Sequence, residues 1–507
     1  MRKNRAWVIP ATLLAATSLA ESDRFFLGDG HIGALVVQAA NTVLNNYAEL
    51  TAGRAPGDRN LPVNSEAGFS GGDLVMVLQT TGLSPAPDAG TPGPFNITGN
   101  AVGTWELARV SSVGAGMINL TAALEQSFAA GVTQVIRIPE YTNVTVAAGA
   151  SLIAKPWDGS SGGVLAFLAT GVVVNNGLIS ANAFGFRPGI VINDNRPGQV
   201  LGCTAMDEAP VDGGQKGEGI AISRYGPSND GRGNVANGGG GGDCHNSGGG
   251  GGANAGAGGK GGRSWVGDMS RDVGGLGGGA LVYSMLDHLT LGGGGGAGHE
   301  NDNSGSSGGR GGGAVFIRAG SMPDGGIIAA DGEDAPNATA NDGAGGGGAG
   351  GSIYLRLAGP AACLSLSANG GNGGNVAFDL HGPGGGGGGG RILLQGSAIS
   401  ACNASVLSGI AGTQFDPAAP DGLHYGAEPA ANNLPTYVGT IDTLPGAYDG
   451  GIGSAADGGL DAVRLAGSCG CHSSGLVPSF ALTGLVAAAW IWRRRRPRMA
   501  KRPQADV

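Results

Sequence analysis

A unit of strand, turn and strand recurs four times along this chain, each time behind a run of glycine. The copies begin after Gly163, Gly313, Gly351 and Gly390: VLAFLATGVVVNNGLISANA, AVFIRAGSMPDGGIIAADG, SIYLRLAGPAACLSLSANG and RILLQGSAISACNASVLSG. A weaker copy, ALVYSMLDHLTL, follows Gly279. A unit with a period of roughly 35 to 40 residues cannot bury its own apolar face and must stack on its neighbours. The repeat therefore predicts an all-β chain in which residues 141–412 form a stacked-strand solenoid, similar to a parallel β-helix.

The register of the repeat predicts which side chains face outwards. The second strands close on a small residue, at Ala181, Ala330, Ala368 and Ser408. Arg318 and Arg356 lie at the same distance from their glycines, so stacking places them about 4.8 Å apart. Like charges at that distance need water between and around them. Both arginines are therefore predicted to face solvent, with the Ile, Leu and Val neighbours inside.

Glycine makes up 106 of the 507 residues, mostly in runs between the strands. The longest runs are GNVANGGGGGDCHNSGGGGGANAGAGGKGG and LGGGGGAGHENDNSGSSGGRGGG. Glycine loses more backbone entropy on ordering than any other residue, so such runs are either mobile linkers or segments packed too closely for a side chain. The runs recur at matching places in successive repeats. This favours polyproline-II-like segments bundled side by side, with weak Cα–H···O contacts between them.

The composition changes on both sides of the repeats. Residues 21–140 contain short Val-, Ile- and Thr-rich runs such as GDLVMVLQ and TQVIRIPEYTNVTV, which predict an N-terminal β domain. The segment ALVVQAANTVLNNY fits a helix or a strand by periodicity, and we favour a strand. Residues 413–468 are rich in Pro, Ala, Asp and Gly, a composition that does not build a packed core. They are predicted to form a mobile stalk.

Both termini carry signals for export. Residues 1–20 combine a basic start, an apolar run and a closing Ser-Leu-Ala, as in a signal peptide cleaved after Ala20. Residues 476–492 carry no charge and are just long enough to cross a membrane as a helix. Four arginines follow at once, and because a basic flank stays cytoplasmic, everything before the helix is predicted to lie outside. Residues 469–507 thus form a cysteine motif, a transmembrane helix and a basic tail, which makes the chain a single-pass membrane precursor.

The order Cys469-Gly-Cys471, polar spacer, single hydrophobic helix and arginine cluster resembles the myxobacterial C-terminal sorting signal called MYXO-CTERM. The resemblance implies that a membrane-embedded sorting protease reads the cysteine motif and that Cys469 or Cys471 becomes lipid-modified. It also implies that the mature protein reaches the outer membrane or cell surface. The alternative is a permanent membrane anchor with an incidental cysteine pair.

The body of the chain also resembles a known group. The order GDLVMVLQTTGL, WELARVSS, KPWDGSSGGVLAFLATG, DCHNSGGGGGANAG and GPGGGGGGGRI is similar to glycine-rich surface proteins of myxobacteria, some of which are described as adventurous gliding motility proteins. The similarity covers nearly all of residues 25–412. It departs at FRPG, residues 186–189, where a Gly-Gly turn is expected. The resemblance implies a surface location and a role in adhesion or gliding motility, and no chemistry.

Charge and motifs argue against several activities. The net charge of −9 leaves no basic face for nucleic acid once the arginines beside the membrane helix are set aside. No G-x-S-x-G occurs, and His299-Glu300 lacks the second histidine of a zincin. Cys244-His245 and His299 form a metal cluster only if two inserts fold together, and their spacing matches no zinc pattern. The histidines are therefore predicted to be surface groups, and no metal or cofactor is expected.

Three functions remain open. We favour a non-enzymatic structural or adhesive protein of the cell surface, in contact with the membrane and with extracellular polysaccharide or neighbouring cells. Stacked strands offer it a long regular face without a single reactive point. The second is a carbohydrate-active β-helix enzyme, which needs acidic and basic side chains that converge in a groove. The third is a module that binds a polymer or ice through a regular face. A groove of converging charges distinguishes the enzyme from the other two.

Four cysteines of the body are disulfide candidates, because an exported protein meets oxidising conditions. Cys363 and Cys402 lie at the same distance from their glycines, and in-register stacking places their Cα atoms about one strand spacing apart. Cys203 and Cys244 flank the longest insert and form a second pair by elimination. The alternative for Cys363 and Cys402 is a pair of small buried thiols.

Overall fold

The computed structural model describes residues 25–194, 205–207, 213–221, 225, 230–265, 267, 273–323, 325–362, 365–397, 399–400, 403–418, 422–431 and 437–438. All regular elements in these ranges are β-strands. None of the ranges holds a helix long and apolar enough to cross a membrane. The predicted signal peptide, the membrane helix 476–492 and the tail cysteines Cys469 and Cys471 lie outside them.

Two parallel sheets pass through a stack of rungs, which confirms the all-β prediction and the stacking of the repeats. Each full rung gives one strand to the first sheet, turns, and gives a shorter strand to the second. The first sheet contains β1 (Leu35–Val37), β11 (Val144–Val146), β13 (Val164–Asn175), β16 (Ala314–Ser321), β18 (Ser352–Leu357), β21 (Arg391–Gln395) and β24 (Tyr437–Val438), with β10 (Glu140–Tyr141) also paired to β13. The second sheet contains β2 (Thr42–Val43), β12 (Ser151–Ile153), β14 (Leu178–Ser180), β17 (Ile327–Ala329), β20 (Ser365–Ser367) and β23 (Asn403–Ser405).

The core of the stack lies between these two sheets. Leu165, Val315 and Ile353 stand level on successive rungs, and all three are fully buried. Ile179 and Ile328 of the second sheet belong to the same cluster. Full burial of such a side chain contributes about 1.5–3 kcal/mol, so repeated apolar ladders of this kind hold the rungs together.

The first rung lies ahead of the inserted domain and not after it. β1 pairs with β11, Leu35 with Val144, and β2 pairs with β12, Thr42 with Leu152. The segment ALVVQAANTVLNNY therefore contains solenoid strands, and the strand interpretation is confirmed. The predicted boundary at residue 140 misses this rung, because pairing across so long an insertion leaves no period in the sequence.

An antiparallel sheet is inserted between the first and second rungs. Its order is β3 (Tyr47–Glu49), β9 (Thr133–Ile138), β5 (Leu74–Gln79), β7 (Trp105–Gly114), β8 (Met117–Leu120) and β4 (Asn60–Pro62). Its Met76 and Trp105 pack against Phe316 and Tyr354 on the outer side of the first parallel sheet. That sheet is thus buried on both faces, which explains its nearly continuous apolar strands.

The weak copy behind Gly279 is not a rung, so that part of the repeat prediction was wrong. Its strand β15 (Leu281–Val282) pairs with β6 (Phe95–Asn96) of the inserted domain, outside the two stacked sheets. The copy has no second strand of its own, and it therefore cannot contribute to both sheets of the stack.

The prediction that Arg318 and Arg356 face water was also wrong, although they are neighbours in the ladder. They are only 1% and 9% exposed. Arg318 lies 5.6 Å from the ring of Trp105, and both guanidinium groups donate to the hydroxyl of Tyr354, at 3.1 and 2.9 Å. Arg356 also donates to Gln395. The antiparallel sheet covers this side of the solenoid, so aromatic faces and hydroxyl oxygen replace water around the two charges.

Most glycine runs are ordered extended segments, which together we call the glycine bundle. It comprises residues 185–190, 213–220, 231–242, 247–262, 273–279, 291–299, 305–313, 342–351 and 382–390. Every third N–H donates to the same neighbour: Gly249 and Gly252 donate to Ala344 and Gly347, both at 2.9 Å. Three residues per turn is the period of polyproline II. The ordered interpretation is confirmed, and the contacts are full N–H···O bonds where only weak ones were expected.

Segment 247–254 illustrates how tightly the bundle is packed. It donates hydrogen bonds to 237–240, 259–262 and 344–347, and it accepts them from 275–278, 293–296 and 385–388. Six neighbours surround it, as in a close-packed bundle of rods. Its buried backbone is therefore hydrogen-bonded in every direction, which a buried irregular segment needs.

Apart from Gly231, whose φ of 105° lies in the left-handed region, the glycines of this bundle are required by space and not by backbone conformation. No described glycine from Gly233 to Gly412 has φ in the left-handed region. A Cβ on Gly250 would lie 2.2 Å from the carbonyl oxygen of Leu276, and one on Gly251 would lie 1.9 Å from that of Gly386. Real Cβ atoms do not approach oxygen so closely. The runs are glycine because the neighbouring backbones occupy the place of a side chain.

Part of the predicted stalk is folded, so that prediction was wrong for residues 413–418, 422–431 and 437–438. Tyr425 is 2% exposed, and its hydroxyl donates to the carbonyl of Ser264 at 2.9 Å. Glu428 N–H donates to the carbonyl of Lys260, and β24 pairs with β21. Residues of this part of the chain join the glycine bundle through backbone hydrogen bonds. Such docking does not require an apolar core, which is why the composition did not reveal it.

Candidate functional site

Three extended segments lie side by side where the second strands end: segment A (330–338), segment B (368–376) and segment C (406–414). They directly follow β17, β20 and β23, whose pairing sets them in register. Every third residue belongs to a regular pattern that we call the lattice: Asp331, Asp334 and Asn337 in segment A, Asn369, Asn372 and Asn375 in segment B, and Leu407, Ile410 and Thr413 in segment C. The lattice therefore repeats both along each segment and from one segment to the next.

Hydrogen bonds fix the lattice from one segment to the next. The N–H groups of Asn369, Asn372 and Asn375 donate to the side-chain oxygens of Asp331, Asp334 and Asn337 at 2.6, 2.6 and 2.9 Å. Those of Leu407, Ile410 and Thr413 donate to the side chains of Asn369, Asn372 and Asn375 at 2.8, 3.0 and 2.8 Å. The segments also bond through their backbones, as in Gly332 N–H to the carbonyl of Asn369 at 2.8 Å. Short Asx side chains suit this task because their oxygen reaches a nearby backbone N–H.

The asparagines of segment B present donors at a fixed spacing. Their Oδ1 atoms accept backbone N–H groups, so their Nδ2 atoms point elsewhere, and no partner for these Nδ2 atoms occurs in the described part of the chain. The lattice repeats roughly every 9 Å along a segment and roughly every 5 Å across segments. A ligand with its own regular repeat can therefore meet several donors at once.

Exposed apolar side chains border the polar part of the lattice. Leu407 and Ile410 are 68% and 62% exposed, and Phe378 and Phe415 are 51% and 74% exposed. Phe378 and Phe415 follow the ends of segments B and C, where Asp416 N–H donates to Asp379 Oδ1 at 2.6 Å and extends the pattern. Apolar groups exposed next to a polar pattern are typical of interaction surfaces.

A groove of about 490 Å³ opens on the inserted domain. It is lined by Gln79, Gly82, Ser84, Gly99, Asn100, Ala101, Ser127, Phe128 and Ala129. None of these side chains is acidic or basic, so none can act as a general acid or base near neutral pH. The groove therefore lacks the converging charges that the enzyme interpretation requires.

A charged cluster joins the first rung to the inserted domain. Asp29, His31 and Glu140 are the one group in the described ranges that brings three possible metal-ligand atoms within 4.8 Å of one another. Arg109 already binds both oxygens of the buried Glu140. Partial burial acts to raise the pKa of Asp29, but hydrogen bonds from His31 and the nearby Arg109 outweigh it and lower that pKa. The arginine supplies the positive charge that a cation would bring, so this cluster is an ion-pair network.

The two inserts around Cys244-His245 and His299 do fold together, but not as a metal site. The rings of His245 and His299 are 6.3 Å apart. His299 is fully buried, which corrects the prediction of a surface histidine. Its Nδ1 accepts the N–H of Asn246 at 3.0 Å, so Nε2 carries the proton that it donates to Asp194 at 3.2 Å. Both ring nitrogens are used within the protein, and His299 therefore has no lone pair for a metal.

Of the four disulfide candidates, only Cys244 lies in the described ranges; it is buried and disulfide-bonded. Cys203, Cys363 and Cys402 lie outside them, and the pairing of Cys203 with Cys244 stays a prediction. The register predicted for Cys363 and Cys402 does not hold in the strands beside them. Ser352 pairs with Arg391, but β19 (Ala361–Ala362) pairs with β22 (Ile399–Ser400), and Ser365 pairs with Asn403. One residue is missing from the turn after β21. Val406 therefore stands level with Ala368, two residues before the predicted Ser408, since the count from Gly390 to Ser408 was already one residue longer than that from Gly351 to Ala368.

Sequence reasoning missed the lattice, although a signal for it is present. Each segment carries a seven-residue stretch that begins one residue after the equivalent positions Ala330, Ala368 and Val406. The stretches read DGEDAPN, NGGNGGN and LSGIAGT. Asx or its replacement recurs at every third residue of each segment, and this period matches the polyproline-II turn. The pattern is visible only once the three segments are aligned by the pairing of their strands.

Comparison with known proteins finds weak structural similarity to bacteriophage tailspikes. No family model and no curated protein matches the chain. Among solved structures, the Gp54 tailspike of Acinetobacter baumannii bacteriophage AP22, in complex with capsular saccharide, is similar at 11% identity and a TM-score of 0.16, over 75% of this chain and 62% of the tailspike. The Pseudomonas phage phi297 tailspike gp61 gives 11% and 0.17, over 77% and 62%. This chain thus spans less than two thirds of either tailspike, and at such TM-scores the similarity carries no inference.

Proposed function

We propose that this protein is a non-enzymatic adhesive protein of the cell surface, and that its lattice binds an extended polysaccharide. The observation that carries the proposal is the lattice itself, a hydrogen-bonded pattern of Asx side chains next to exposed aromatic rings. Export and attachment through the C-terminus are part of the proposal, and they rest on the two terminal signals of the sequence.

A polysaccharide suits this surface for two physical reasons. Its hydroxyl groups repeat along the chain and can accept hydrogen bonds from the Nδ2 groups of Asn372 and Asn375. The apolar faces of its sugar rings can pack on Phe378 and Phe415, which otherwise expose aromatic surface to water. The lattice is held rigid before binding, so little conformational entropy is lost when the ligand docks. Several weak contacts on one rigid polymer then add up through avidity.

The double variant Phe378→Ala/Phe415→Ala is expected to bind polysaccharide at least tenfold more weakly, which corresponds to about 1.4 kcal/mol. Binding of the full-length protein is measured by co-sedimentation with a panel of insoluble acidic and neutral polysaccharides. Val36→Ala is the matched control, because Val36 is 59% exposed on the first rung, outside the lattice. Circular dichroism verifies that all variants keep their strands.

Three outcomes would contradict the proposal. Equal binding by the double variant and the control would show that the aromatic rings beside the lattice do not make the contact with the polysaccharide that the proposal requires. Sugar release from any panel member, lost on replacement of one acidic residue, would favour the enzyme. Absence of polysaccharide binding together with inhibition of ice growth that depends on Asn372 would assign the face to ice.

Replacing Cys469 and Cys471 together by alanine is expected to retain the protein in the precursor membrane and to deplete it from the cell surface. The reason is the resemblance of the tail to a sorting signal that is read at its cysteine motif. Surface labelling of intact cells measures the effect. The variant keeps Cys244, so the disulfide of the body is unchanged. Unchanged labelling would show that the tail is a permanent anchor.

A further inference from the structure

Segment C ends the described lattice with an edge that residues 422–431 cover only in part. Gln414 N–H donates to the carbonyl of Leu423 at 2.8 Å, and the Ser408 hydroxyl donates to the carbonyl of Ala431 at 2.7 Å. In segment B, the N–H groups of Ala368 and Gly370 donate to carbonyl oxygens of Ser405 and Leu407, at 2.9 and 2.8 Å. Val406 and Ser408 hold the equivalent positions one segment later. Their N–H groups have no acceptor within the described ranges. Unpaired donors at the start of an extended segment are a template for a further chain.

The side chains along this edge are those that a further segment would cover. Asn369 and Asn372 reach over segment C, where they accept the N–H groups of Leu407 and Ile410. Leu407 and Ile410 stand at the next positions of the lattice, and they are 68% and 62% exposed. They have no side-chain oxygen and cannot continue the hydrogen-bonded ladder. They can instead pack on the backbone of a neighbour.

The chain itself starts a further rung at this edge. Tyr437 and Val438 of β24 pair in parallel with Ile392 and Leu393 of β21. On the two preceding rungs, the positions equivalent to Tyr437 are Ile353 and Ile392. Their extended segments begin 14 or 15 residues later, at Ala368 and Val406.

The same interval, counted from Tyr437, leads to residues 451 and 452. The sequence there reads GGIGSAADGG, residues 450–459, which is richer in glycine than the chain on either side. Its residues are small, and Asp457 carries its one charge. A backbone nearly free of side chains is what the close spacing of these segments demands.

We propose that residues 450–459 form a fourth segment of the lattice, docked on the edge of segment C. Carbonyl groups of this segment accept the N–H groups of Val406 and Ser408, and its backbone covers Leu407 and Ile410. The predicted stalk then shrinks to the few residues before Cys469. The lattice is held close to the anchored end of the chain.

Hydrogen exchange of the full-length protein tests this docking. The amides of Val406 and Ser408 are expected to exchange at least 100-fold more slowly than unstructured amides. Replacing the five glycines of residues 450–459 with valine is expected to abolish that protection, because the close spacing of the segments leaves no room for the new side chains. The matched control introduces valine at five positions of residues 460–468 and is expected to leave the protection intact. The amide of Gly370, which is bonded within the described lattice, reports that each variant remains folded.

Two results would overturn the proposal. Rapid exchange of Val406 and Ser408 in the native sequence, or protection that survives the replacement of the five glycines of 450–459 with valine, would show that this segment does not cover the edge. Protection that appears only at high protein concentration would assign the edge to a second copy of the chain.

Discussion

Replacing Gly250 with alanine is expected to lower the free energy of unfolding by about 3 kcal/mol. The new Cβ would lie 2.2 Å from the carbonyl oxygen of Leu276, which is backbone and cannot rotate away. Gly250 also donates to the carbonyl of Gly240 and accepts from Gly296 N–H, both at 2.9 Å, so a shift that relieves the clash strains two further segments. Urea denaturation followed by circular dichroism measures the change.

Gly114→Ala is the matched control. This glycine lies at the end of β7, no heavy atom falls within 4 Å of the position of its Cβ, and its φ is not in the left-handed region. The control is expected to change stability by less than about 0.5 kcal/mol. Similar losses at Gly250 and Gly114 would show that glycine in the bundle is tolerated and not required.

The stacking of the repeats could be predicted because it rests on local signals. Apolar residues alternate within each strand, and the copies behind Gly313 and Gly351 keep the same spacing, so Arg318 and Arg356 were correctly made neighbours. Their burial could not be predicted. It depends on Trp105, which arrives from a domain inserted far back in the chain and leaves no trace in the period of the repeat.

The sequence predicted that the glycine runs are ordered, but it did not predict which segments they would hydrogen-bond. A run such as residues 247–254 has no side-chain pattern from which a partner can be read. Its neighbours are chosen by backbone geometry alone, with N–H groups distributed among three segments in turn. For the same reason the sequence did not predict which part of the supposed stalk would join the bundle.

The lattice could be predicted only in part. The stretch NGGNGGN has an evident period of three. That this period forms a lattice follows only when Asn372 is aligned with Asp334 of segment A and Ile410 of segment C. That alignment follows the strand pairing, in which one residue is lost after β21. An alignment counted from the glycines is therefore displaced at segment C.

A buried carboxylate explains two motifs that the sequence left without a role. Glu218 is inaccessible to solvent and accepts the indole N–H of Trp157, from KPWDG, at 3.0 Å. It also accepts the backbone N–H, Nε and Nη2 of Arg187, from FRPG, at 2.9, 3.0 and 2.9 Å. FRPG departs from a glycine turn because Arg187 is needed to neutralise Glu218. This network ties the turn between the second and third rungs to the glycine bundle.

Replacing Glu218 with alanine is therefore expected to lower the free energy of unfolding by about 3–5 kcal/mol, because it leaves Arg187 and the indole N–H of Trp157 without their acceptor. Glu218→Gln keeps one acceptor oxygen but not the charge, and is expected to lose less. Lys155→Ala is the control from the same turn: Lys155 and Asp158 form an ion pair in which both side chains are more than 40% exposed. Exposed pairs contribute less than about 1 kcal/mol. Chemical denaturation of the three variants ranks them, and a loss at Glu218 no larger than that at Lys155 would show that the buried network does not hold the rungs to the bundle.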